Sequence, residues 1–322
     1  MNVAPNNEKF FEFYSVLPAE VRMMVIDEMP PVDRCRFTRC SKLAYDEARA
    51  SKNYLYELEI SGSFDLIEIF VRHAPSDGFM MRFNGGEERS VYIRFYNLQS
   101  FEYLVKLDFC VDWVQYVVHL FQSLLQTCQR SVKSLVLRGM LLENYLRRNE
   151  IEFGTLNRLK RLDLSVEFDA TSLFSRLRGG SLENLSFWKE GNIEVFRSSE
   201  QIYTVSNVLF LPHLKLNNPQ FLRLSATHIT IHIGDLTVQN LVSFIRSWQN
   251  GTLRESFKSC RWSLTNSGFS TAQLFHSFRT NLRRQRDSGV NISHHRILEK
   301  KARLTYHFSR QALELVVNTN ER

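Results

Sequence analysis

The chain has 322 residues, of which 43% are hydrophobic and 23% charged, an ordinary balance for a folded protein with a sizeable core. That length suits about two domains or one elongated repeat. Net charge is +7, from 41 Lys and Arg against 34 Asp and Glu, which permits acidic partners but singles out no nucleic acid.

No run of about 18 apolar residues occurs, so no helical membrane span is expected. The polar start, Met1 to Lys9, lacks the basic-then-apolar order of a secretory signal. Five scattered cysteines, Cys35, Cys40, Cys110, Cys128 and Cys260, read as free buried thiols of a reducing compartment, cytoplasm or nucleus.

Residues 1–12 read as a flexible N-terminus. From Leu17 to Ala50 the chain marks three short helices by their starts. Pro18 suits a first helical position, where its missing N–H would be unpaired anyway. Glu20 then meets the positive end of that helix. Pro30 stops it, Pro31 and Asp33 repeat the arrangement for a second helix, and Ser41 or Lys42 opens a third. In the first helix Val21, Met24, Val25 and Met29 share a face, while Met23 and Ile26 lie roughly opposite. A helix apolar on two sides needs two partners. A stretch this short cannot cover both.

These residues resemble a known family. The order Leu17-Pro18-x-Glu20-Val21, Val25-Ile26, Pro31-x-Asp33-Arg34 and Cys40-Ser41-Lys42-Leu43 is similar to an F-box. The resemblance implies a three-helix piece over residues 13–52 that docks on the Skp adaptor of a cullin–RING (SCF) ubiquitin ligase. It points to Leu17, Pro18, Val21, Val25, Ile26, Val32, Cys35 and Phe37 as the adaptor face and its support. Three fully buried anchors of this kind are worth roughly 5–9 kcal/mol gross. One departure stands out: many F-boxes carry an aromatic residue just after the Ser-Lys pair, where this chain has Leu43-Ala44-Tyr45. Without the resemblance, the stretch reads as a helical cap on a larger domain.

Further along, Tyr54 to Ile60 alternates in the strand manner. Phe64 to Ala74 reads as a short helix with Leu66, Ile69 and Phe70 on one side. Phe79 to Phe83 and Val91 to Phe95 read as strands, with a turn at Asn84-Gly85-Gly86. Phe101 to Phe109 is another apolar stretch. Trp113 to Cys128 is the clearest helix, with Val114, Val117, Val118, Phe121, Leu124, Leu125 and Cys128 in one stripe.

A pattern then recurs. Leu135-x-Leu137, Leu162-x-Leu164 and Leu185-x-Phe187 each follow an apolar residue by three, at spacings of 27 and 23 residues. This is the rhythm of leucine-rich repeats, with Ala170 to Leu177 as a helical return. The consensus asparagine is absent and 193–210 breaks the period, so the expectation is an irregular solenoid, with an ordinary α/β domain of chance leucine spacings as the alternative.

His228 to Ile233 alternates as a strand, with a turn at Gly234-Asp235-Leu236 and a helix capped by Thr237. Leu241, Phe244, Ile245 and Trp248 make its buried stripe, and Asn250-Gly251 ends it. The run Leu236-Thr237-x-x-Asn240-Leu241-x-x-Phe244-Ile245-Arg246-x-Trp248-x-x-Gly251-x-Leu253 resembles the F-box-associated domain of nematode F-box proteins. That family often has Asp-Leu-Asn where Asn240-Leu241-Val242 stands here. The segment from Arg279 to Arg310 is basic and reads as a solvated or weakly ordered flank, with phosphate contact as the alternative.

Convergent catalytic groups are not found. Cys35 and Cys40 are five apart, about 140° around a helix, and do not face one metal. His228 and His232 share a strand face without further ligands at metal spacing and read as a solvated or repeat-face pair, with a metal pair as the alternative. Phosphate-loop, serine-hydrolase, zincin and dinucleotide signatures are missing.

The expectation is an α/β chain: a three-helix F-box over 13–52, an irregular leucine-rich-repeat-like domain of strands and helices over 53–275 that binds substrate, and a basic segment over 276–322. The resemblances imply a non-enzymatic substrate adaptor without cofactor or metal. Its partners would be the Skp adaptor, the cullin ligase core and a protein substrate, with no membrane, and nucleic acid is disfavoured. The alternatives are a leucine-rich interaction scaffold with no ligase link, or a nucleic-acid binder using the basic segment.

Overall fold

The computed structural model describes residues 14–29, 37, 40–50, 57–63, 66–74, 77–85, 90–97, 102–108, 113–128, 132–139, 151–165, 171–177, 182–189, 199–252, 256–265, 267–278, 287–293, 300–307 and 310–319. The chain forms two compact units: Met1–Lys133 with Ile151–Arg158, and Ser134–Glu150 with Leu159–Arg322.

The first unit holds helices α1 (Ala19–Glu28) and α2 (Lys42–Ala50), strands β1 (Glu57–Ser63), β2 (Leu66–Ala74), β3 (Asp77–Gly85), β4 (Ser90–Asn97) and β5 (Glu102–Asp108), and helix α3 (Trp113–Cys128). The strands pair in chain order as an antiparallel meander. Register places Leu58, Val71 and Phe79 in one cross-strand row and Ile60, Ile69 and Met81 in the next. All six are buried, as period-two alternation requires of one sheet face. The other face carries ion pairs across neighbouring strands, Arg72 with Glu57 at 3.2 Å and Arg82 with Glu68 at 2.7 Å. Helix α3 lies against β2 and α2 with Val117, Val118, Phe121, Leu124 and Leu125 buried.

Of the stretch read as a helix from Phe64 to Ala74, the described residues Leu66–Ala74 form strand β2. Its apolar residues fit both periods. Ile67, Ile69 and Val71 are β-branched, and alternation buries all three, which favours the strand.

The second unit holds β6 (Ser134–Arg138), β7 (Arg161–Ser165), α4 (Thr171–Ser175), β8 (Asn184–Phe187), α5 (Gln201–Thr204), β9 (Val208–Lys215), α6 (Asn218–Arg223), β10 (His228–His232), α7 (Val238–Gln249), β11 (Ser259–Ser263), α8 (Thr271–Ser277), β12 (Asp287–Ser293), β13 (Lys300–His307) and β14 (Ala312–Thr319). Strands β6 to β11 are parallel neighbours in chain order. Strand β14 then joins β11 antiparallel, followed by β13 and β12.

The leucines explain the parallel run. Leu135, Leu162, Leu185, Leu209, Ile229 and Cys260 form one row across six strands, and all are buried. Trp262, in the neighbouring row with Ile231, meets Phe221 of α6 and Phe244 of α7 at ring centroids 6.2 and 6.1 Å apart, so helices cover this face. Thr237 accepts from the Asn240 N–H while the Asn240 side chain accepts from the Thr237 N–H, and this capping box starts α7. Gly251 ends α7 at φ 68°, a conformation that costs glycine little.

The expected architecture, a three-helix N-terminal piece followed by an irregular repeat solenoid, does not hold. Among the described N-terminal residues α1 and α2 are helices, and residues 14–16 and Phe37 are helical as well; of the stretch read as a second helix, 30–36 lies outside the described residues. Sheet dominates the rest, and much of it is antiparallel, at β1–β5 and again at β12–β14. The repeat reading failed because short Leu-x-Leu strands mark a buried parallel row without fixing what pairs beyond it. The basic segment read as a flank supplies β12 and β13: Ala302 and Leu304 are buried and alternate with Lys301 and Arg303. That alternation was present in the sequence beneath the charge.

Candidate functional site

The N-terminal helices owe their arrangement to one polar network and one small core. Arg22 of α1 donates from Nε to Glu47 Oε1 of α2 at 2.6 Å, and from Nη1 to the Leu17 carbonyl. Tyr14 donates to the other Glu47 oxygen at 2.6 Å. Burial and this hydrogen bond push the Tyr14 phenol far above its ordinary value. Ser41 accepts from the Ala44 N–H at 3.0 Å and caps α2. Beneath the network Ile26, Phe37 and Ala44 are buried, with Tyr14, Met23 and Met29 packed on them. Tyr14 and Phe37 meet edge to face at 4.9 Å.

Arg22 and Ile26, at i and i+4, fix the inner face of α1, and the C-cap residue Met29 packs on the same core. Its outer face is Val21, Met24 and Val25, at i, i+3 and i+4, and their exposures are 40%, 68% and 39%. Val16 and Leu43 of the same N-terminal stretch are exposed as well. These residues make up most of the large exposed apolar side chains found among the described residues.

The predicted residues divide accordingly. Val21 and Val25 lie on the outer face, Pro18 is exposed and Leu17 half-buried. Ile26 and Phe37 are interior residues that support this face from beneath. Val32 and Cys35 lie outside the described residues. Pro18 occupies the cap position and the helix begins at Ala19. Met29 turns inward, against the sequence reading that grouped it with Val21. Met24 belongs with the outer set, and its spacing from Val21 was legible.

The second motif is scaffold. Thr237 and Asn240 cap α7, and Leu241, Phe244, Ile245 and Trp248 are buried. His232, read with His228 as a solvated or repeat-face pair, is buried: its Nδ1 accepts from the Gly234 N–H at 2.9 Å. That fixes the proton on Nε2, which donates to the Thr265 carbonyl at 2.7 Å. His228 lies 2.8 Å from Ser259 Oγ, and burial, with Lys258 nearby, lowers its pKa. Cys260 is a buried thiol, whereas Cys40, expected to be buried, is exposed. Among the described residues no helix is long and apolar enough to cross a membrane.

Comparison with known proteins agrees with the first resemblance in coarse terms. An uncharacterized F-box protein of Caenorhabditis elegans is 21% identical over 295 residues, covering 80% of this chain and 72% of that protein. No protein-family model and no solved structure matches the chain.

Proposed function

We infer that the chain is a substrate-recognition adaptor of an SCF-type ubiquitin ligase. Its N-terminal helices hold the Skp-type adaptor, and thereby the cullin core, while the remaining chain holds a protein substrate. It performs no covalent chemistry itself. It raises the effective concentration of substrate beside the ligase by keeping both in one particle. It works in the cytoplasm or nucleus, where that machinery operates.

The observation that carries this reading is the outer face of α1. Arg22, Ile26 and Met29 commit the inner face to the chain's own core and leave Val21, Met24 and Val25 in water. The similarity to a protein named as an F-box protein, over most of the chain, supports the same assignment. The test mixes purified chain with a Skp-type adaptor and resolves the mixture by size. A joint peak is expected. Separate elution at micromolar concentrations overturns the reading and leaves an interaction scaffold without a ligase link.

A further inference from the structure

Opposite the helix-covered leucines, the parallel sheet of the second unit has another face. Register places Val136, Asp163, Ser186, Phe210, Thr230, Arg261 and Glu314 in one row across β6 to β11 and β14. Phe210, Thr230, Arg261 and Glu314 all remain partly exposed. Trp188, just past β8, points to this same face, because its ring lies 4.3 Å from that of Phe210 and its Nε1 donates to Asp163 Oδ1 at 3.1 Å.

Trp188 is 52% exposed, yet it is held at both ends of the indole. Asp163 is only 4% exposed and is itself fixed, by Arg138 Nη2 at 2.8 Å and Arg161 Nη2 at 3.6 Å. The buried Asp163 carboxylate holds the exposed Trp188 indole in place. It removes rotamer freedom from Trp188 before any partner arrives, which lowers the entropic cost of binding. Trp and Arg are the residue types that dominate binding energy at interfaces.

Among the described residues of β6 to β11, β13 and β14, arginines dominate the charge of this face. Arg138 and Arg161 are 42% and 48% exposed, Arg261 is partly exposed, and Arg303 of β13, opposite Val316, is exposed. Among the described residues of β6 to β11, β13 and β14, the acids on this face are Asp163, already between two arginines, and Glu314, which pairs with His307 at 2.9 Å. We propose that this face, centred on Trp188, binds an acidic peptide segment of a partner protein, its carboxylates on the arginines and an apolar side chain on the indole. Calling that partner the substrate rests on the proposed function.

Spacing sets the peptide. Neighbouring strands lie about 4.8 Å apart and Arg161 on β7 is offset from Arg261 on β11 by two residues along the strand, so the two are separated by about 20 Å. An extended segment at about 3.3 Å per residue spans that in about six residues, with the apolar residue nearer the Arg161 end. Nucleic acid fits less well. Asp163 and Glu314 sit in the row itself and repel a continuous phosphate track, whereas discrete carboxylates can be spaced to meet the arginines.

The test uses the full chain without adaptor and a labelled peptide of alternating Glu and Leu long enough to cross this span, read by fluorescence polarisation. Controls are the same peptide with Gln for Glu and a single-stranded RNA. Saturable binding of the Glu peptide is expected, weakened at least tenfold by Trp188→Ala and by Arg261→Gln. Arg261→Gln leaves the Asp163 network untouched, so its effect separates recognition from folding. Equal binding of the Gln peptide, binding of RNA alone, or no binding of either overturns the proposal. Both variants should still co-elute with the adaptor as the wild-type chain does. If the wild-type chain binds the peptide but not the adaptor, the ligase reading falls and the peptide site stands.

Discussion

Replacing Val21, Met24 and Val25 together by Ser tests the docking face at its centre. Fully burying a side chain of this size is worth about 1.5–3 kcal/mol. The fold has already hidden part of each, and 40%, 68% and 39% remain for a partner to cover. The three are therefore worth about 2–4 kcal/mol together, less than the same number of fully buried anchors. The triple variant should bind the Skp-type adaptor about 30- to 1,000-fold more weakly. Because these side chains already face water, thermal unfolding should stay close to that of the parent. Ile26→Ala is the converse: it opens the small core under α1, costs about 2–4 kcal/mol of stability, and lowers the melting temperature. Titration of labelled adaptor, with a circular-dichroism melt of each variant, reads both effects. A triple variant that binds as tightly as the parent would falsify the assignment of this face.

Glu47→Gln removes one partner of a pair whose side chains are 15% and 13% exposed, and should destabilise the N-terminal helices by about 2–3 kcal/mol, read by amide exchange. In the same variant the Tyr14 phenol should titrate lower than in the parent by ultraviolet absorbance, because Glu47 contributes to its upward shift; an unmoved titration contradicts the network. His228 has a folded pKa below 6.5, so its contribution to stability is present above that value and lost as pH falls through the folded pKa. His228→Asn should flatten the acid side of the stability profile, and an identical profile would argue against this. Gly234 sits at φ 53°, where a Cβ would lie 2.9 Å from Lys215 Cβ and 3.0 Å from Lys215 Cα. Gly234→Ala should therefore cost about 1–3 kcal/mol, and a neutral denaturant midpoint would refute the strain.

Several elements were legible because their signal is local. The stripe of α3, the Thr237 cap and the glycine after α7 depend on neighbours within a few residues, and backbone geometry there follows from residue type. The short Leu-x-Leu strands were found because burial of one face repeats every second residue. Strand β2 was misread for the opposite reason: nine residues satisfy both periods until a partner strand chooses one. Strand β13 was hidden by charge on its solvent side. Spacing gave the outer face of α1, while the partition between Val21 outside and Met29 inside needed Phe37 and Ala44 to arrive from later in the chain.

By itself the sequence determined which segments carry apolar faces, where α7 starts and stops, and that the first helix has more apolar surface than one neighbour can cover. Tertiary structure alone decided which of those faces stays in water. It also built the Trp188 platform, whose parts come from Arg138, Asp163 and Phe210, far apart in the chain. The reason is physical: strand register and ion pairing are set by long-range partners, and no local window of residues contains both sides of a contact.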